Sequence, residues 1–199
     1  MDIKSVDYKW NGTFVKRNET RYIILHHRAG DGDVQSIHRQ HVNANRWTGI
    51  GYHFYVRKDG SVYRGRPIDK WGAHCVGYND KSIGVCFEGD FSKESMTSVQ
   101  KRAGQELVAY LKELYPDAEV SKHSDFDSTA CPGKNFPIDE IINPVERKVL
   151  TEPNDIIWEL SQRIEIHEVD RAVAALEKAK NEDSSLYWIL YKLVNREDK

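Results

Sequence analysis

The sequence predicts an α/β fold: a central mixed β-sheet flanked by helices, followed by a small C-terminal helical module. Three observations carry this reading. Short β-branched runs alternate with stretches of helical periodicity over the first 143 residues, a hairpin signal lies among them, and strand signals stop beyond Asn143. A hairpin pairs antiparallel, whereas strand–helix–strand alternation favours parallel pairing, so the sheet is expected to be mixed.

Residues 21–25 (RYIIL) form an apolar run that reads as a buried strand opening into a pocket at His26 and His27. The loop AGDGD follows, and Asp33 is placed to cap a helix reaching about Asn45. In GYHFYVRKDGSVYRG two β-rich runs flank Asp59-Gly60, the dipeptide favoured in tight type I′ hairpin turns. SIGVCFEG reads as a central strand whose glycines permit close backbone approach. Val99, Ala103, Leu107, Tyr110, Leu111 and Leu114 recur at helical spacing, with Thr97 or Ser98 as the cap and Pro116 as the stop. EVSKH predicts a further short strand and PIDEII a short helix.

The composition changes near Asn143-Pro144. Residues 1–143 are expected to form the main domain, 144–153 a Pro-punctuated linker, and 154–199 a small helical module. That module carries three helical patterns: Ile156, Ile157 and Leu160; Val169, Val173 and Leu176; and Leu186, Ile189, Leu190 and Leu193. So short a piece is near the lower limit for folding alone, so it is expected to dock on the main domain or self-associate into a homo-oligomer.

The 199 residues, 39% of them apolar, suffice for a real core, and a net charge of -2 offers no basic surface to nucleic acid. No apolar run approaches the roughly 20 residues of a membrane span. The N-terminus, MDIKSVDYKW, lacks the apolar stretch of a secretory signal, so synthesis in the cytoplasm is expected. Cys75, Cys86 and Cys131 are too few, and odd in number, to form a disulfide framework; at least one thiol is free for chemistry.

Three groups on separate segments have ligand-type side chains: the His26-His27 pair, His123 and Cys131. Zinc accepts imidazole nitrogen and thiolate sulfur, and a catalytic site keeps one position open. His123 and Cys131 are close enough in sequence for one loop to carry both. Taken singly, each reads equally well as an ordinary hydrogen-bonded polar residue, so spacing leaves the choice open. His38 and His41, at i and i+3 on the first helix, form another ligand-type pair, with a solvated helix face as the preferred reading.

Five ordered blocks decide further: IILHHRAG, TGIGYHFYVRKDGSVYRGR, WGAHCVGYNDKSIGVCFEGDF, KHSDF and ACPGKNFP. In them the chain resembles the type-2 N-acetylmuramoyl-L-alanine amidases, the family shared by phage lysozymes that are amidases and by animal peptidoglycan recognition proteins. The resemblance covers about residues 21–142. It implies a Zn2+ cofactor held by His26, His123 and Cys131, with His27 as a neighbour. It implies catalytic roles for Tyr52, otherwise readable as a half-buried strand aromatic, and for Thr129. Phage lysozymes of this kind carry Lys at the latter position and catalytic recognition proteins carry Thr. His74 and Asn79 match positions that line the substrate groove, although a turn with ordinary polar residues would look the same. The chain departs from the pattern at Cys86, where another branch places a Glu general base, and at Arg28, where Thr or Ser is usual.

The implied activity is hydrolysis of the amide bond between the muramoyl lactyl group and L-alanine, which lyses the bacterial cell wall. The Tyr52 and Thr129 hydroxyls are suited to bind the developing oxyanion. His53 adjoins Tyr52, but strand alternation points it to the opposite face. Small size and an amidase followed by a short extra piece match the architecture of a phage or prophage endolysin, acting on peptidoglycan after release from the host cytoplasm. The competing readings are a non-catalytic peptidoglycan-binding protein and a thiol hydrolase using Cys131; metal dependence separates both from a zinc amidase.

Overall fold

The computed structural model describes residues 1–143 and six helical residues further on, 174, 176–178, 180 and 181. The chain divides into two compact units, Met1–Pro144 and Val145–Lys199. The expected linker and the helical patterns around Ile156, Val173 and Leu186 lie outside the described residues; Leu176, which is described, is helical and buried.

The first unit is built on a six-stranded sheet. In chain order its elements are β1 (Ile3–Lys4), β2 (Tyr22–His27), α1 (Val34–Asn43), β3 (Phe54–Val56), β4 (Val62–Arg64), β5 (Ser82–Phe87), α2 (Ser98–Leu114), β6 (Glu119–Lys122), a 3-10 turn (His123–Asp125) and α3 (Ile138–Ile142). The spatial order is β1-β4-β3-β5-β2-β6. The β3–β4 hairpin is antiparallel and the other pairings are parallel, so the sheet is mixed as expected. Both long helices start where the sequence places them: Asp33 accepts the Ser36 N–H and Thr97 accepts the Gln100 N–H. The edge strand β1 was not anticipated; at two residues it carries no periodicity to read.

Strand alternation divides the sheet into two faces. Leu25, Phe54, Val85 and Phe87 point to one face and pack with Ala103, Leu107 and Leu111 of α2 and Ile141 of α3. Tyr55 and Cys86 point to the other and pack beneath Val34 and Ile37 of α1 with Ile50. His26 shares a register row with Cys86 and Tyr55, so it lies on the α1 face. With both faces covered, β5 is buried along its whole length.

Two local expectations need correction. The hairpin is not a two-residue type I′ turn, which needs a positive φ at both central residues. Only Gly60 takes one (81°); its N–H donates to Arg57 O at 2.9 Å, and the Arg57 N–H donates to Ser61 O at 2.9 Å. This is a three-residue loop. Asp59 avoids the left-handed region, unfavourable for an L-residue, and its carboxylate accepts the Ser61 N–H instead. The α1 histidines are also not a solvated face. His38 and His41 are buried, and their Nδ1 atoms accept the N–H groups of Ile50 and Gly51 at 3.2 and 3.0 Å. The segment leading to Tyr52 has no strand partner there, and the imidazoles satisfy its backbone.

Candidate active site

The α1 face stays open beside the end of β2, and there three segments converge. His26, the penultimate residue of β2, is almost fully buried, His123 opens the 3-10 turn after β6, and Cys131 follows on the next loop. Their ligand-type atoms all lie within 4.8 Å of one another. Cys131 Sγ is 3.9 Å from His26 Nδ1. The Nε2 of His123 is buried without a hydrogen-bond partner. Such an orphan is costly unless something else satisfies it.

The surroundings favour neutral imidazoles. Burial holds His26 well below the ordinary histidine range, and the nearby His123 and His27 push the same way. Burial also lowers His123, against Asp127. Burial pushes the Cys131 thiol up to about 11, although the His27 N–H, 3.4 Å from the sulfur, opposes it. Two imidazoles with free lone pairs and one thiol form a donor set suited to zinc. Tetrahedral zinc bonds hold their donor atoms roughly 3.5 Å apart, close to the spacing already present, so the residues fit the ion. A thiol with so high a pKa is a poor nucleophile near neutrality, which counts against the thiol hydrolase.

The other sequence-selected residues fall around this cluster. The Tyr52 ring lies 5.2 Å from that of His26 and 5.8 Å from that of His41. Thr129 accepts the Cys131 N–H at 3.2 Å, leaving its own hydroxyl proton free to donate. His27 turns away: its Nδ1 accepts the Phe91 N–H at 3.2 Å. His53 also lies apart, with Nδ1 accepting the Gly84 N–H and Nε2 2.9 Å from Lys70 O. Asn79 uses Oδ1 to accept the N–H groups of His74 and Cys75, so it shapes the loop that carries His74. A groove of about 310 Å³ opens on the His123 side of the cluster, lined also by Trp47, His74, Val76, Asn79 and Asp127. Val76 is 86% exposed and Trp47 38%, so the rim is partly apolar.

Residues 16–134 match the family model of N-acetylmuramoyl-L-alanine amidase. The chain belongs to this family. The endolysin of Klebsiella phage KP32 is 37% identical over 128 residues, covering 60% of this chain and 84% of that protein. Peptidoglycan-recognition protein SC2 of Drosophila melanogaster is 32% identical over 131 residues, covering 60% of this chain and 71% of that one. Among solved structures, N-acetylmuramoyl-L-alanine amidase LysC from Clostridium intestinale URNW aligns with a TM-score of 0.68 at 37% identity, covering 71% of this chain and 95% of the other.

Three residues of the amidase site carry contacts that sequence reasoning missed. Cys86, where another branch of the family places a Glu, is met by the Tyr52 hydroxyl. Ser82, at the start of β5, sits 3.3 Å from His74 Nε2. Trp47 packs its ring at a tilt against that of His41, centroids 4.8 Å apart, and walls the groove. Strand alternation would have put Cys86 on the face of His26; no sequence signal marks the other two. Arg28 keeps a buried Nε without a hydrogen-bond partner, and nothing in the structure explains why it replaces Thr or Ser.

Proposed function

We propose that the protein is a zinc-dependent peptidoglycan amidase that hydrolyses the bond between the N-acetylmuramoyl lactyl group and L-alanine, as a phage or prophage endolysin. Family membership supports the reaction class. The observation that carries the metal reading is the convergence of His26, His123 and Cys131, with the buried Nε2 of His123 lacking a hydrogen-bond partner. The groove beside them has room for a sugar–peptide junction.

His26, His123 and Cys131 would hold the ion, which would supply Lewis acidity for polarising the scissile carbonyl and activating water. The protein's own groups do the rest. The Tyr52 hydroxyl, facing the cluster from the α1 side, donates to the oxygen on which negative charge develops. Thr129, anchored through the Cys131 N–H, offers its one proton from the opposite loop. Trp47, His74 and Asn79 bound the groove that receives the muramoyl–peptide junction. Among the described residues no helix is long and apolar enough to cross a membrane, and wall peptidoglycan is the proposed partner.

Mass analysis of muropeptides after digestion tests this. Release of peptides with a free L-alanine amine, together with lactyl-bearing glycan, is expected. Cleavage at any other bond, or intact sacculi after prolonged incubation with zinc-loaded protein, would overturn the proposal.

A further inference from the structure

A line of hydrogen bonds runs from His26 through His74 to Ser82. Ser82 is fully buried, and its hydroxyl donates to the carbonyl of Tyr78 at 2.6 Å. A hydroxyl has one proton. Toward His74 Nε2, 3.3 Å away, Ser82 Oγ is therefore an acceptor, and Nε2 carries the hydrogen. In a neutral ring that leaves His74 Nδ1 unprotonated, to accept from His26 Nε2 at 3.0 Å. His26 is then protonated on Nε2, and its lone pair sits on Nδ1, the atom facing Cys131 Sγ. Reversing the chain would turn the Ser82 proton away from Tyr78 O and put a hydrogen on His26 Nδ1, where a metal needs a lone pair.

The arrangement is built into the backbone. Asn79 fixes the main chain of His74 through its N–H, 2.8 Å from Oδ1. Gly84 on β5 gives the ring its space: a Cβ there would stand 2.5 Å from His74 Cγ. Both ring nitrogens of His74 are thus engaged by protein, and neither is free for a substrate.

We propose that Ser82 and His74 form a positioning relay that fixes His26 as the Nε2–H tautomer and thereby sets the affinity of the site for its metal. This rests on the zinc reading of the site. It reassigns His74 from substrate contact to ligand support, and gives Ser82 a role. Hydrogen-bonded partners of this kind fix ligand orientation and basicity, and removing them typically weakens metal binding by about 10–100-fold.

The test is the zinc Kd of the full chain, measured by competition with a chromophoric chelator. Ser82→Ala and His74→Leu are expected to weaken binding by about 10–100-fold. His74→Asn is expected to keep most of the affinity, because its Oδ1 can stand where Nδ1 accepts. Nitrogen-15 NMR of the metal-free protein should show His26 protonated at Nε2, a signature that a purely structural role would not require. Wild-type affinity in both Ser82→Ala and His74→Leu, or a His26 ring protonated at Nδ1, would overturn the relay. A wild-type chain that binds no zinc, or His26→Ala binding it as tightly as wild type, would overturn the zinc reading itself.

Discussion

The hydroxyl of Tyr52 meets the thiol of Cys86, a fully buried residue that pairs in register with His26. Burial, with Cys86 and Cys131 nearby, holds the phenol well above its ordinary pKa, so it stays a donor. A thiol is a weak acceptor, so the proton is aimed but not held tightly, and a developing oxyanion can replace the sulfur. Tyr52→Phe keeps the ring and its contacts with His26 and His41. Turnover should fall about a hundredfold or more, the cost typical of a lost oxyanion donor, with zinc content and wall binding near wild type. Cys86→Ala should cost less, and nothing further in the Tyr52→Phe background. Unchanged turnover in Tyr52→Phe would remove that hydroxyl from the mechanism.

Metal retention separates the ligand positions from their neighbour. The purified protein should hold about one zinc per chain, as three-ligand catalytic sites do. Cys131→Ser should lose both metal and lysis, because a hydroxyl is a much poorer zinc ligand than a thiolate. His26→Ala and His123→Ala should behave alike. His27→Ala should keep its zinc, since the ring bonds to the Phe91 N–H while the backbone N–H and carbonyl of His27 are what meet the Cys131 sulfur. Elemental analysis after gel filtration reads all four variants, and full zinc in Cys131→Ser would show the site to be wrongly placed.

Much of the fold was legible because its elements repeat at fixed periods. The helix caps at Asp33 and Thr97 and the all-buried β5 follow from local chemistry. The convergence of His26, His123 and Cys131 is a tertiary fact, and only the ordered blocks of the family pattern pointed to it. What escaped reading depended on who stands opposite whom. The burial of His41 follows from α1 docking on residues 49–51, and the Ser82–His74–His26 line follows from the 72–79 loop folding back over β5. Neither partner set is adjacent in sequence or periodic. The turn at Asp59-Gly60 was misread because Lys58 N–H is drawn to the buried carboxylate of Glu88, which favours a longer loop.

Acid should loosen the fold through the buried histidines. Burial, with Arg66 and His38 adding to it, lowers His41 to about 4, and burial lowers His53 to about 3. Unfolded histidine titrates near 6.5. Between these values the unfolded chain binds more protons than the native one, so stability is full above about pH 6.5 and falls as pH drops toward 4. For His41 the gap is worth up to about 3 kcal/mol. Protonating its Nδ1 would also break the bond from the Gly51 N–H. The midpoint of urea unfolding should therefore decline from pH 7 to pH 4.5. The decline should be shallower in His41→Gln, whose amide oxygen accepts without titrating; an equally steep decline would exclude His41 as the source.

Residues beyond 153 are proposed as a helical module for wall targeting or self-association, with no part in catalysis. The family match ends at residue 134, and the chain divides into units at 144/145. LysC from Clostridium intestinale is covered over 95% of its length by 71% of this chain, so a related amidase structure needs little beyond the first unit. The tail carries His167 as its only histidine and no cysteine, which leaves it short of metal ligands. A chain ending at Glu152 should bind zinc and cleave a soluble muropeptide at the wild-type rate. On intact cells it should be slower, or its mass on a sizing column should drop by more than the deleted residues account for. The proposal fails if that shortened protein is folded and zinc-loaded yet cannot cleave the soluble substrate, because the tail would then be completing the active site.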